Sequence, residues 1–391
     1  MLGRLKFDIN NLVDEILDRL PNEVWSSSTS TFLDPAIGGG QFVRAIENRL
    51  KNAGHSTANI TSRVYGYESN RMRINFAVNK YKLVGTYTNK DFLEEEFDMK
   101  FDVIVGNYPY GDSKDSGGTL WGKFANIVFE DLVKDNGYVA AIHPPSFIGK
   151  HLNKGTGKSN YTSFKDNQII ELHLFDDFEK EKYFKGVGTK VCWYVAKKQL
   201  PSQNTKIVGY DKGKNFVFDT DFTTQTFMPQ VINELTVAIH KKIINCPAID
   251  FVQKRKLHYH NMKQKNQVSD TETTEYPYKS YFSHIITRYA NFKFDDYDAI
   301  KVMVPQTSTM EKSFIDKECN VSEDLFYVCC DNMNDANKLL DHLTSPLVKY
   351  IGKAYRPGRN LGALLSANII PTDSCNLNLT QEEIEYIESY N

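Results

Sequence analysis

Phe32-Leu33-Asp34-Pro35-Ala36-Ile37-Gly38-Gly39-Gly40-Gln41-Phe42 decides how the chain is read. A short apolar run ends in an acid, a proline and three glycines intervene, and helical spacing begins at Phe42-Val43-Arg44-Ala45-Ile46. That is the pattern of a strand feeding a helix through a tight turn. Glycines let the backbone turn sharply and let a ligand approach it closely. The turn also leaves amide N–H groups and a helix N-terminus facing a ligand's carboxylate. A structural turn or a phosphate loop would look the same at this point. The dinucleotide fingerprint Gly-x-Gly-x-x-Gly is absent, because Arg44 and Ala45 occupy the place of its last glycine. No Gly-Lys-Ser/Thr follows, which argues against a nucleotide triphosphatase.

Working outward, strand-like runs recur at Arg63–Tyr67, Phe101–Val105, Tyr138–Ile142, Ile169–Leu174 and Lys190–Val195, with helical spacing between them, as in Phe124–Phe129. Such alternation predicts an α/β fold, a mainly parallel sheet with helices on both faces. Ligands in such sheets sit beyond the carboxyl ends of the strands. Near Gln199-Leu200-Pro201-Ser202-Gln203-Asn204 the alternation fades, so the expected division is 1–200 and 201–391. The 391 residues, 41% hydrophobic and 13% aromatic, suit two globular domains. No apolar run approaches the ~18–20 residues that span a bilayer, and the N-terminus lacks a secretory stretch, so a soluble cytoplasmic protein without membrane contact is expected. None of the six cysteines forms a Cys-x-x-Cys pair, so reduced, mostly buried thiols and no metal site are expected.

The residues just after each strand carry the chemistry. Glu68 can bond ribose hydroxyls or merely cap a helix. Asp91-Phe92 suits an adenine, the carboxylate accepting its amino group and the phenyl ring packing on the base. Asn107-Tyr108-Pro109-Tyr110 suits a planar substrate bearing an NH2 group. The Asn107 side-chain oxygen can accept one amino proton and the carbonyl of Tyr108 the other, while Tyr110 stacks. Alone, this tetrapeptide reads equally as a turn with a buried tyrosine.

Together the motifs resemble a known family. Asp34-Pro35-Ala36-Ile37-Gly38-Gly39-Gly40-Gln41-Phe42 resembles the Asp-Pro-Ala-x-Gly-x-Gly-x-Phe cofactor motif of adenine-N6 DNA methyltransferases, and Asn107-Tyr108-Pro109-Tyr110 their Asn-Pro-Pro-Tyr/Phe catalytic motif. The order, cofactor motif first and a long variable region last, is similar to the gamma class of type II restriction–modification systems. Thr119–Phe124, Asp135–Val139 and Phe184–Val191 resemble later segments of the same family, and the likeness covers about residues 12–198. Two positions depart from the pattern. Tyr108 replaces the first proline of the catalytic motif, and Asn10-Asn11 stands where the family carries Thr-Pro.

The resemblance implies a Rossmann-like class I methyltransferase domain with a seven-stranded sheet, followed by a mixed α/β target-recognition domain. It implies S-adenosyl-L-methionine as cofactor, held by Asp34, Pro35, Ala36, Gly38, Gly40, Glu68, Asp91, Phe92 and Asn107. It implies double-stranded DNA as partner, base flipping, direct methyl transfer without a metal, and a separate cognate restriction endonuclease as a further partner. Phe184 belongs near the target-base pocket. The net charge is −2, but Lys254-Arg255-Lys256 through Lys263 and Lys265 hold five positive charges and no acid. Lys254, Arg255, Lys256, Arg288, Arg356 and Arg359 are therefore the candidate DNA contacts, with a solvated surface as the plain alternative. An RNA adenine or protein glutamine methyltransferase, and a non-catalytic DNA-binding subunit, are the competing readings.

Overall fold

A computed structural model describes residues 9–111, 120–148, 164–211, 214–220, 229, 232–253, 262–263, 265–355, 361–366 and 369–390. Its first sheet has nine strands: β1 (Phe32–Asp34), β2 (Val64–Tyr67), β3 (Thr86–Thr88), β4 (Phe101–Asn107), β5 (Val133–His143), β6 (Gln168–Leu174), β7 (Cys192–Lys197), β8 (Thr205–Asp211) and β9 (Lys214–Thr220). They lie in the order β3-β2-β1-β4-β5-β7-β6-β8-β9. Neighbours from β3 to β5 are parallel; β7 runs against both β5 and β6. β8 is parallel to β6, and β9 is antiparallel to β8. The sheet is mainly parallel, as expected, with five parallel and three antiparallel neighbouring pairs, but the expected seven strands are corrected to nine.

Apolar runs explain the central strands. Every residue of β1 is buried, and Val103, Ile104 and Val105 of β4 are fully so. Strands covered on both faces read this way, as unbroken apolar stretches. The helix Ile9–Leu17 packs Leu12, Val13, Ile16 and Leu17 with Phe32, Val64, Val103, Ala140, Ile142 and Trp193. Leu33 and Ile104 alternate with members of that cluster and are buried on the opposite face.

The chain divides into compact units Met1–Gln225 and Thr226–Asn391, so the stretch after Pro201 goes with the first unit rather than the second. Gln168 supplies the cause. Its Oε1 accepts the Ser202 and Gln203 amides at 2.7 and 3.0 Å, and its Nε2 donates to the Gln203 carbonyl at 3.0 Å. The polar, proline-containing stretch is thereby a turn fastened to the start of β6, from which β8 continues the sheet.

The second unit carries β10 (Val268–Ser269), β11 (Tyr278–Ser283), β12 (Ile286–Ala290), β13 (Ile300–Pro305), β14 (Phe314–Asp316), β15 (Asn320–Val321) and β16 (Leu325–Cys330). They form sheets ordered β10-β12-β11-β15 and β14-β13-β16. The helices Glu234–Ile244, Met333–Leu343 and Pro346–Ala354 contribute Ile239, Ile243, Leu343, Val348 and Ile351 to a core shared with Val302 and Phe326. Cys246 and Cys375 form a disulfide and Cys329 is exposed, which corrects the expectation of reduced, mostly buried thiols. Among the described residues no helix is long and apolar enough to cross a membrane.

Candidate functional site

β2, β1 and β4 lie side by side, with Asp34 opposite Gly66 and Leu33 opposite Ile104. Strand order reverses between β1 and β4, and Asp34 and Asn107 are the last residues of those two strands. Such a switch point opens a crevice beyond the strand ends. Glu68 follows the end of β2, so two carboxylates and an amide share one rim.

Asp34 is buried, and one backbone amide, that of Ala36 at 3.0 Å, bonds its carboxylate. Burial, reinforced by the neighbouring Glu68, pushes its pKa up to about 7. A buried carboxylate with so little compensation favours a cation. Pro35 is buried beside it and Ala36 half-buried. Gly38 opens the space alongside. Gly38 has φ +54, and a Cβ there would find only the Ala36 carbonyl, 3.8 Å away. Gly40 caps the helix Gln41–Asn52 at φ +84, and a Cβ there would come within 2.8 Å of Ala77. Glycine is required at Gly40 on both counts.

Glu68 fastens this loop to the next one. Its Oε2 accepts the Gly38 amide at 3.0 Å and its Oε1 the Asn70 amide at 2.8 Å. Each carboxylate oxygen has a further lone pair for a ligand hydroxyl. Asp91 is exposed and accepts the Leu93 amide at 3.0 Å, capping the short turn Phe92–Glu94. Phe92 is buried, stacked on Phe124 at 4.9 Å and flanked by Tyr67 and Phe97. A buried acid, a ribose-suited carboxylate and the open face of Gly38 make a donor set that fits S-adenosylmethionine, which carries an ammonium and a sulfonium.

Asn107 is exposed at the rim, and Pro109 half-buried. Tyr108 turns inward and is fully buried, its amide donating to the Ile142 carbonyl at 3.0 Å. Its ring lies 5.7 Å from Phe124 and 6.0 Å from His143, whose ring stacks on Trp121 at 4.4 Å. Tyr110 is half-buried against the core that includes Leu12 and Val105. Burial raises both phenol pKa values well above the ordinary tyrosine range, so both stay protonated. His143 lies 2.8 Å from the Pro144 carbonyl through Nδ1, and burial pushes its pKa down to about 4. A carbonyl only accepts, so Nδ1 carries the proton and the ring is neutral. Sequence reasoning passed over His143, whose one available signal was its place immediately after the strand run that ends at Ile142, and noted Trp121 only as part of Thr119–Phe124.

Lys254, Arg255, Lys256, Arg356 and Arg359 lie outside the described residues, as does Thr119. Arg288, on β12, pairs with Asp270 at 2.5 Å and donates to the Thr287 carbonyl at 2.8 Å, so its charge is already met. Phe184 lies in the first unit, half-buried against the core around Trp193. Among the described residues no group of His, Cys, Asp and Glu is arranged to hold a metal ion.

Residues 47–184 match the family model of the Eco57I restriction-modification methylase. That span is similar to restriction–modification methylases. It runs from the helix after the glycine turn through Glu68 and the Asn107–Tyr110 loop to Phe184. No curated protein matches the chain. Among solved structures, the type IIL restriction-modification enzyme MmeI in complex with DNA aligns at 12% identity over 98% of this chain and 66% of its own, TM-score 0.46. A modification subunit of a putative type I restriction enzyme from Vibrio vulnificus YJ016 aligns at 13% identity over 52% of this chain and 47% of its own, TM-score 0.40. A putative class I S-adenosylmethionine-dependent methyltransferase from Listeria monocytogenes aligns at 15% identity over 51% and 63%, TM-score 0.38. The chain thus spans about half to two thirds of the length of these proteins.

Proposed function

We propose that the chain is a site-specific DNA methyltransferase that moves a methyl group from S-adenosyl-L-methionine to the N6 amino group of adenine. The observation that carries this reading is the juxtaposition of Asp34 and Asn107 on adjacent strand ends at the switch point, Asn107 lying within the span 47–184 that matches a restriction–modification methylase family and Asp34 preceding it. The cofactor supplies an electrophilic methyl on a sulfonium. Asp34 meets the cofactor's positive charge, Glu68 the ribose hydroxyls, and the open face of Gly38 admits it to the backbone. Asp91 and Phe92 border the adenine end.

The target adenine is flipped from the duplex, because its N6 is otherwise paired and stacked. Asn107 accepts one N6 proton through its side-chain oxygen and the Tyr108 carbonyl accepts the other. Bound there, the cofactor would supply the methyl group; Asn107 and the Tyr108 carbonyl would hold the N6 lone pair toward it, and the proton that N6 gives up would pass to water. Positioning supplies much of the acceleration. Tyr110 and Phe184 border the flipped base. The region after Pro201, most of it the compact unit Thr226–Asn391, reads the target sequence. A separate cognate endonuclease is the expected partner.

Asn107→Ala tests the assignment. Transfer to DNA falls by more than a hundredfold, roughly the loss of a group held in the transition state, while cofactor affinity measured by calorimetry persists. Equal loss of both would make Asn107 a structural residue instead.

A further inference from the structure

Where the resembled family carries the first of two consecutive prolines, this chain carries Tyr108, and the buried ring stands at the meeting of three elements. Its own backbone follows β4, His143 ends β5, and Trp121 and Phe124 lie on the helix Leu120–Ile127. The Trp121 and His143 rings stack at 4.4 Å with planes 11° apart, and Tyr108 continues over His143 at 6.0 Å and 15°. Phe124 closes the side at 5.7 Å, and Phe147 meets His143 edge-on at 5.4 Å. Towards the other strand, a Cβ on Gly106 would lie 3.1 Å from Tyr108 Cε1 and 3.3 Å from Asp34 Oδ1. The same ring edge therefore borders the residue that separates the loop from the buried acid.

We propose that Tyr108, Trp121 and His143 form a positioning stack that holds the Asn107–Tyr110 loop at the height of Asp34. Buried ring contact does here what the family's first proline does by fixing the backbone. The inference rests on the methyltransferase reading of this site, and it adds two positioning residues, Trp121 and His143, that touch neither substrate nor cofactor. The Tyr108 amide bond to Ile142 belongs to the same device, because it ties the loop to the strand that His143 ends. His143 is suited to the role because its proton is already committed to the Pro144 carbonyl, leaving a flat neutral face for both neighbours.

The test compares Trp121→Ala, Trp121→Phe and Tyr108→Pro in the full chain, by methyl transfer to DNA, cofactor calorimetry and hydrogen exchange of the 107–110 amides. A small displacement of a reacting group costs on the order of a hundredfold. Trp121→Ala is accordingly expected to lower kcat roughly tenfold to a hundredfold with cofactor affinity little changed, and to speed exchange at 107–110 selectively. Trp121→Phe keeps a ring in place and recovers most of both. Tyr108→Pro regains the family residue but loses both the ring and the amide N–H that bonds the Ile142 carbonyl, and falls with Trp121→Ala. Equal loss in the Phe and Ala variants, exchange quickened throughout the first unit, or full kcat in Tyr108→Pro would overturn the proposal. If the wild-type protein transfers no methyl group to DNA, the substrate reading fails, and the exchange pattern alone still decides whether the stack holds the loop.

Discussion

At the level of single residues, Asp34 is the group whose chemistry should be most visible in solution. Its pKa of about 7 reflects burial with one backbone donor. A cationic ligand binds the ionised form, so cofactor affinity should climb as pH rises through 7. Well below that value it should fall by up to about tenfold per pH unit. Asp34→Asn should bind weakly and lose this dependence, and calorimetry of both proteins between pH 6 and 8 checks it; an unchanged slope in the variant would assign the titration elsewhere. Gly40 gives a second residue-scale expectation. A Cβ at φ +84 would also press on Ala77, so Gly40→Ala should destabilise the first unit by roughly 1–3 kcal/mol in denaturant melts. These positions were legible in the sequence because glycine and proline punctuate the chain locally. Tyr108 was not. Its identity was plain, but whether a tyrosine there stacks outward or packs inward depends on Trp121, Phe124 and His143, which come from other elements. The pairing of Arg288 with Asp270 was not legible either, because the two come from separate segments whose contact spacing does not reveal.

Among the elements, the central strands followed from unbroken apolar runs, and β1, β2, β4 and β5 lie where those runs predict. The edge of the sheet did not follow. The alternation fades at Pro201 and its polar neighbours, yet Gln168 fastens them to β6 and the sheet continues into β8 and β9. β9 itself alternates half-buried Phe216 and Phe218 with exposed Val217, the pattern of an amphipathic edge strand. Gln168→Ala would leave three backbone groups of the turn without partners at a site where Gln168 is buried. The expected cost is roughly 1–3 kcal/mol, with faster hydrogen exchange in β8 and β9 than in β4. A uniform increase across the sheet would mean that the turn is not what fixes this edge.

Across the whole molecule, buried histidines contribute to the response to acid. Burial lowers the pKa of His143 in the first unit and of His240 in the second to about 4, and it also lowers that of His173 in the first unit. A histidine whose folded pKa lies below its unfolded value of about 6.5 contributes stability that is present above pH 6.5 and lost as pH falls towards 4. Asp34 acts in the opposite sense, since its raised pKa adds stability as pH drops below 7. It offsets part of the histidine contribution within the first unit, and no described carboxylate of the second unit has a raised pKa to offset His240. Exchange protection in the second unit should therefore fall between pH 7.5 and 5, and unchanged protection there would contradict the contribution of His240.

The central claim, adenine methylation in DNA, is tested most directly by product analysis. Purified protein is incubated with S-adenosylmethionine and unmethylated duplex DNA, and the DNA is digested to nucleosides and weighed by mass spectrometry. The account predicts N6-methyldeoxyadenosine from the wild-type protein and none above background from Asn107→Ala. Methyl groups appearing on cytosine, or on no base while the cofactor demonstrably binds, would contradict it.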